Sequence, residues 1–333
     1  MPHRIIVHSP QPCRFDESKG SDELRMTMDS HQIFQAIVDS PLLYISRLPS
    51  KHFRVHLLEA LNTWYEIPQN DMSRVSDILQ LLHNCSLILD DFQDRSPLRR
   101  GRPAAHALFG EAQAIKSSSY GFIKAVALAQ ESFDLESTKA VTTAMLRSFE
   151  GQAAELYWTY TKICPSVQEY LEMVDLKTGS LLHLAPQLMR AKSRSTIPVK
   201  ASSMVTLMRL LGQFYQIRDD YMNLTSAQYE KNKGFCEDLD EGKYALPLIH
   251  ALAAKPRSVL LSSALSAGGA YGRLSREQKV CILEELEKSR SLEWTKATLC
   301  ELQVAISEEI ARLESSFGQP NESLRTLISK VAI

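Results

Sequence analysis

From about Ile33 onward, the apolar residues of this 333-residue chain return every three or four positions, and little interrupts them. Leu57, Leu58, Leu61 and the pair Trp64-Tyr65 set the period. Val75, Ile78, Leu79, Leu82, Leu87 and Leu89 carry it to Asp90. This is the spacing of one face of an α-helix. It resumes over roughly 104–131, 136–161, 166–191 and 201–226, with breaks at Cys164-Pro165 and Thr196-Ile197-Pro198. Shorter helices follow, one around Trp294 to Ser315. Gly 13 and Pro 14 together make 27 of 333 residues, below the roughly 12% usual for soluble domains. So few breakers argue against a turn-rich sandwich or barrel. Helices of twenty or more residues, longer than the usual ~11–12, predict an all-α bundle of long antiparallel helices around a central cavity. Residues 1–30 read as a polar N-terminal arm, 31–333 as one helical domain, and Arg95–Pro103 and Tyr229–Lys243 as loops.

Lys+Arg 38 against Asp+Glu 39 leaves a net charge of -1. Nothing there favours nucleic acid, so charge-based function must come from local placement. The cysteines at 13, 85, 164, 236, 281 and 300 form no CxxC pair, which suits free thiols in a reducing, cytoplasmic setting. No apolar run long enough for a signal peptide or a membrane span is present, and Lys330-Val331-Ala332-Ile333 holds no prenylation cysteine.

Three carboxylates follow a strongly apolar helix, in Asp90-Asp91-Phe92-Gln93-Asp94. Asp90 and Asp94 share a face, where like charges destabilise a helix unless something compensates. A solvated helix end is one reading and a hard divalent cation is the other. Mg²⁺ binds through one or two carboxylates and completes its shell with water and substrate phosphates. A second apolar helix ends in Gln216-Ile-Arg-Asp219-Asp220-Tyr-Met-Asn223, with Asp219 and Asn223 again four apart. Two such clusters facing one another would hold several Mg²⁺ around one polyanion. Lys51, Arg54, Arg99, Arg100, Lys177, Lys233 and Lys243 lie beside them in sequence, as forks and point charges suited to phosphate oxygens.

These residues resemble the trans-prenyl diphosphate synthases, and most of all the fungal-type geranylgeranyl diphosphate synthases. The matching blocks are Leu82 to His106, Gly151 to Trp158, Lys177-Thr178-Gly179, Gly212 to Leu224 and Asn232 to Pro247, in that order. The same blocks occur in the prenyltransferase half of fungal bifunctional terpene synthases, although this chain is expected to be too short for a cyclase half. The resemblance implies an isoprenoid-synthase-type fold and a Mg-dependent, head-to-tail condensation of isopentenyl diphosphate with allylic diphosphates (dimethylallyl, geranyl, farnesyl). It implies Asp90, Asp94 and Asp219 as Mg²⁺ ligands, three ions in all. Asp91, Asp220 and Lys177 join them as catalytic residues. Arg99, Lys177, Thr178, Gln216, Asn223, Lys233 and Lys243 would hold the allylic diphosphate, and Lys51, Arg54, His83 and Arg100 the isopentenyl diphosphate. A homodimer or higher homo-oligomer follows from the same source.

Mg²⁺ and the basic ring would neutralise the leaving diphosphate as an allylic cation forms. The departing diphosphate can take the final proton, so no protein base is needed. The apolar helix faces keep water from the cation.

Cys85 and Ser86, both small, lie about one 5.4 Å turn below Asp90. Phe149, with Leu81-Leu82, is expected as a deeper floor. That arrangement predicts three additions to dimethylallyl diphosphate and the C20 product, and a Cys85→Phe variant that releases shorter ones. Glu155, Thr159-Tyr160, Ser180, Asn223 and a helix-kinking Pro186 depart from the family pattern, which leaves farnesyl and C25 products as alternatives. A class I cyclase would need an Asn/Asp–Ser/Thr–Glu triad, which neither Met222 nor Asn223 begins. A di-iron bundle would need Glu-x-x-His pairs, and none is present. A non-catalytic prenyltransferase subunit would be expected to lose the aspartates that this chain keeps.

Overall fold

A computed structural model describes residues 29–195, 204–254, 258–264 and 273–331. Almost all of the arm assigned to residues 1–30 lies outside these residues, as does the Thr196–Pro198 break. The chain is all-α. Helices α1 (Ser30–Arg47), α2 (Phe53–Tyr65) and α3 (Gln69–Gln93) precede a two-residue antiparallel pair, β1 (Leu98–Arg99) and β2 (Arg102–Pro103). Then come α4 (Ala105–Phe109), α5 (Glu111–Ser132), α6 (Leu135–Thr161) and α7 (Val167–Val174), a π-helical turn (Asp175–Gly179) and α8 (Ser180–Lys192). The last elements are α9 (Val205–Thr225), α10 (Ala227–Lys233), α11 (Glu237–Glu241), α12 (Leu246–Ala253), α13 (Arg276–Lys288), α14 (Ser291–Phe317) and α15 (Glu322–Ser329).

Helix α3 shows why the bundle forms. Met72, Val75, Ile78, Leu79, Leu82, Cys85 and Ile88 form its buried stripe, which packs mainly on α5. Each such aliphatic side chain contributes about 1.5–3 kcal/mol on burial. The stripe leaves His83, Ser86, Leu87, Asp90 and Asp94 on the remaining surface, which becomes the wall of the site. Asp134 caps α6 by accepting from the Ser137 amide at 2.8 Å, and Ser166 with Glu169 makes a capping box on α7.

Two expectations change in detail, and one irregularity carries no signal in the sequence. The Arg95–Pro103 loop contains a hairpin whose central residues, Arg100 (φ 55°) and Gly101 (φ 74°), take the primed turn that matches strand twist. The Tyr229–Lys243 segment is not a loop but carries α10 and α11. Its charges find partners from further along the chain: Lys279 Nζ donates to Asp240 and to the Phe235 carbonyl, both at 2.6 Å. Cys236 and Leu239 join Leu224, Leu248, Ile282 and Leu286 in a small satellite core. Finally, α8 runs on through the buried Pro186. The irregularity comes earlier, at the π-helical turn, a feature that often marks functional sites. There α6 approaches so closely that a Cβ on Gly151 would sit 2.4 Å from the Lys177 backbone nitrogen.

Candidate active site

The C-terminal end of α3 supplies Asp90 and Asp94, α6 supplies Glu155, and the π turn supplies Lys177 and Thr178. Ligand oxygens of Asp90, Asp94 and Glu155 all lie within 4.8 Å of one another, the one such group of acidic, His or Cys residues among the described residues. Lys177 Nζ donates to Asp90 at 3.0 Å and to Glu155. Lys243 Nζ pairs with Asp94 and lies 2.8 Å from Glu241. Lys233 pairs with Asp238 and Glu241. An all-oxygen donor set of converging carboxylates, balanced here by ammonium groups, fits a hard divalent cation such as Mg²⁺. Glu155 enters the sequence reading only as a departure from the family pattern. One residue in one helix gave no reason to group it with α3.

The electrostatics follow from crowding. Burial works against the Asp90 carboxylate, but Lys177, Lys243 and Arg99 outweigh it and hold its pKa well below the usual range. Asp94 goes the other way. Burial, helped by Asp90 and Glu241 and opposed by Lys243, pushes it up to about 7. For Glu241, burial is outweighed by Lys243 and Lys233, and the carboxyl is held below its ordinary value.

Asp91 and Asp220 occupy different places from their neighbours. Adjacent helical residues are about 100° apart around the axis, so both turn into the core. Asp91 is fully buried, and Arg99 grips both its oxygens, with Nε donating at 2.9 and 3.1 Å. Asp220 accepts from the Tyr170 hydroxyl at 2.6 Å and from Gln216 Nε2 at 2.9 Å. Burial and nearby Asp238 push its pKa up to about 7 against those bonds. These two carboxylates position Arg99 and Gln216 and have no oxygen among the converging ligands.

Asp219 is exposed and accepts from the Tyr229 hydroxyl at 2.5 Å. It stands outside the converging trio, yet it acts electrostatically on Arg99. Arg99 therefore joins the two aspartate clusters. Thr178 Oγ1 donates to Gln216 Oε1 at 2.8 Å. Asn223 Oδ1 accepts from the Asp238 amide at 3.3 Å, which leaves its buried Nδ2 without a partner. Tyr170, Tyr229 and Glu241 are further participants, and the sequence carried no spacing signal for them.

A second basic group lies beside α2. Arg54, His83 and Arg100 act on one another electrostatically, and burial first, then these arginines, holds the His83 pKa well below normal. The imidazole is therefore neutral. Burial with Arg100 lowers Arg54 to about 10. Lys51 is exposed between α1 and α2. Of the chain-length candidates, Ser86 is half-buried and donates to the His83 carbonyl at 2.8 Å. Cys85 is fully buried, with its Sγ facing Gly121, where a Cβ would come within 2.3 Å. Phe149 is 43% exposed and leans on Phe122, the ring centroids 5.0 Å apart.

A family model described as polyprenyl synthetase matches residues 35–271. The chain belongs to the polyprenyl synthetase family. It is 43% identical over 314 residues to geranylgeranyl pyrophosphate synthase 2 of Gibberella fujikuroi, covering 94% of this chain and 79% of that protein. It is 40% identical over 318 residues to fusicoccadiene synthase of Phomopsis amygdali, and 43% identical over 337 residues to talaropentaene synthase of Talaromyces verruculosus. These matches take 95% and 98% of this chain but only 44% and 50% of the two terpene synthases. At this end of the bundle, Asp90, Asp94 and Glu155 stand opposite Lys177 and Lys243. Among the described residues, no helix is long and apolar enough to cross a membrane.

Proposed function

We propose that this polyprenyl synthetase makes geranylgeranyl diphosphate, adding isopentenyl diphosphate three times to a chain that starts from dimethylallyl diphosphate. The observation that carries the reading is the opposition of Asp90, Asp94 and Glu155 to Lys177 and Lys243. Similarity to the Gibberella fujikuroi enzyme supports the C20 length, and similarity to the two terpene synthases supports a role in terpenoid biosynthesis. Mg²⁺ held by Asp90 and Asp94, with Glu155 beside them and Asp219 on the facing helix, would neutralise the leaving diphosphate. Three ions are the number we propose. Lys177, Lys243, Lys233 and Arg99 then face the diphosphate oxygens, with Thr178, Gln216 and Asn223 as hydrogen-bonding neighbours. Neutral His83 with Arg54 and Arg100, and Lys51 at the rim, hold the isopentenyl diphosphate. Among the described residues, Cys85, Cys236, Cys281 and Cys300 carry free thiols, which supports a reducing, cytoplasmic setting.

The test is chromatography of products from the purified chain, supplied with Mg²⁺, isopentenyl diphosphate and each allylic starter in turn. Dimethylallyl, geranyl and farnesyl diphosphates should all be carried to the C20 product, and chelation should abolish turnover. A main product of C15 or C25 would overturn the length assignment. A silent pure protein that activates a partner would make it a subunit.

We also propose that the chain is a homodimer through α5 and α6. Ile115 and Ile123 on α5 continue into Leu146, Phe149, Tyr157 and Tyr160 along one stripe of α6, all exposed, Ile123 at 70% and Tyr160 at 88%. A stripe of this length marks an interaction surface, and an identical stripe on a second copy suits an isologous interface. Light scattering should give twice the 37.5 kDa of one chain, and Ile123→Glu with Leu146→Glu should give the monomer. A monomeric wild type would refute the proposal.

A further inference from the structure

Two buried polar atoms without a hydrogen-bond partner sit in the same region of the site, Arg54 Nε in the first turn of α2 and Tyr215 Oη on α9. Their neighbourhood is fixed by the rings beside them: Phe53, next to Arg54, meets Tyr215 with centroids 4.1 Å apart. Both groups are donors, one by necessity and one by its free O–H. A buried donor with no acceptor loses its bonds to water and gains nothing in return, so two of them together are retained for something that accepts. Arg54 has no carboxylate partner among the described ion pairs, and Arg100 lies close enough to lower its pKa further. The pocket is therefore rich in donors and positive charge. An oxyanion, which only accepts, satisfies all of these groups at once.

We propose that the Tyr215 hydroxyl is a binding group for the homoallylic substrate, donating to its diphosphate beside Arg54 and Arg100. The inference rests on the reading that this pocket takes isopentenyl diphosphate, and it adds a residue that the sequence pattern did not single out. Burial raises the Tyr215 phenol pKa despite Arg218 and Arg54 nearby, so the group meets the anion as a donor. The ring anchors against Phe53 while the hydroxyl reaches the anion. Tyr215 thus ties the position of the diphosphate to α9, the helix that carries Asp219. The register of the homoallylic double bond against the allylic carbon is set from the same helix.

The variant Tyr215→Phe keeps the ring and removes the donor. Steady-state kinetics should show the KM for isopentenyl diphosphate raised about tenfold, the effect of one hydrogen bond to a charged group. The KM for the allylic diphosphate should move less than twofold. Thermal denaturation should show an unchanged or higher melting temperature, because a buried unpaired hydroxyl is lost. A purely structural hydroxyl would lower it. Arg54→Gln is assayed alongside. If Arg54→Gln raises the KM for isopentenyl diphosphate and Tyr215→Phe does not, this inference falls alone. A wild-type chain that consumes no isopentenyl diphosphate overturns the functional reading and this inference together.

Discussion

Replacing Asp90 with asparagine should lower kcat/KM about a thousandfold at saturating Mg²⁺ while leaving the protein folded. Asp90 is the carboxylate that meets two cations at once, Lys177 at 3.0 Å and Arg99 at 3.5 Å, with its side chain 20% exposed. It also belongs to the converging ligand oxygens of Asp94 and Glu155. Asparagine preserves shape and one oxygen but removes the charge. Loss of one preorganised electrostatic group typically costs about 10²–10³ in turnover, and losing a ligand charge adds to that. A thousandfold corresponds to about 4 kcal/mol of transition-state stabilisation. The folding cost is smaller. The Asp90 pKa is held below its ordinary carboxylate value, so the ionised form contributes stability at neutral pH, lost as pH falls through the depressed value. Removing that charge permanently should cost about 1–3 kcal/mol, partly offset by relieving repulsion with Asp94. Asp91→Asn reverses the ranking. It strips the fully buried partner of Arg99, and breaking a buried pair costs about 3–5 kcal/mol. Kinetics and thermal denaturation of the two variants separate the roles. An Asp90→Asn enzyme within tenfold of wild type would remove Asp90 from the proposed ligand set.

The long helices were legible because burial of one stripe dictates a period, and α3, α6 and α9 keep that period for five turns or more. The two acidic helix ends were legible for the same reason, since Asp90 and Asp94 share a face at a spacing that sequence displays directly. What sequence did not display is set by contacts between distant segments. Glu155 joins the acidic group only because Gly151 lets α6 close on the π turn. The charged stretch from Tyr229 to Lys243 read as a loop because its polar residues lack an apolar face. In the fold, Lys279 and Arg273 arrive from further along the chain to pair with Asp240 and Glu237, and the stretch folds into α10 and α11. Asp91 and Asp220 stand next to proposed ligands in sequence, and adjacency on a helix turns them in another direction.

Product length is where that geometry sharpens an expectation most. The sequence placed Cys85 and Ser86 together as the small residues beneath Asp90, but their surroundings differ. Ser86 stands on the face of Asp90, four residues away and therefore about one 5.4 Å turn below it. It is half-buried, with a hydroxyl bonded to the His83 carbonyl. An aromatic side chain there lies off the packed stripe of α3. Cys85 is on the packed stripe of α3, fully buried with its Sγ against Gly121 of α5. An aromatic there has no space to enter, and overpacking of this kind typically costs about 1–3 kcal/mol or more. Ser86→Phe should therefore shift the main product from C20 to C15 or shorter, with a melting temperature near that of wild type. Cys85→Phe should lower the melting temperature by several degrees, since α3 and α5 must part to admit the ring. Any shortening it causes should accompany a loss of total turnover. Chromatography of products made from dimethylallyl diphosphate, read against thermal denaturation of the same samples, tests both. An unchanged C20 product from a folded Ser86→Phe enzyme would place the floor elsewhere along the bundle.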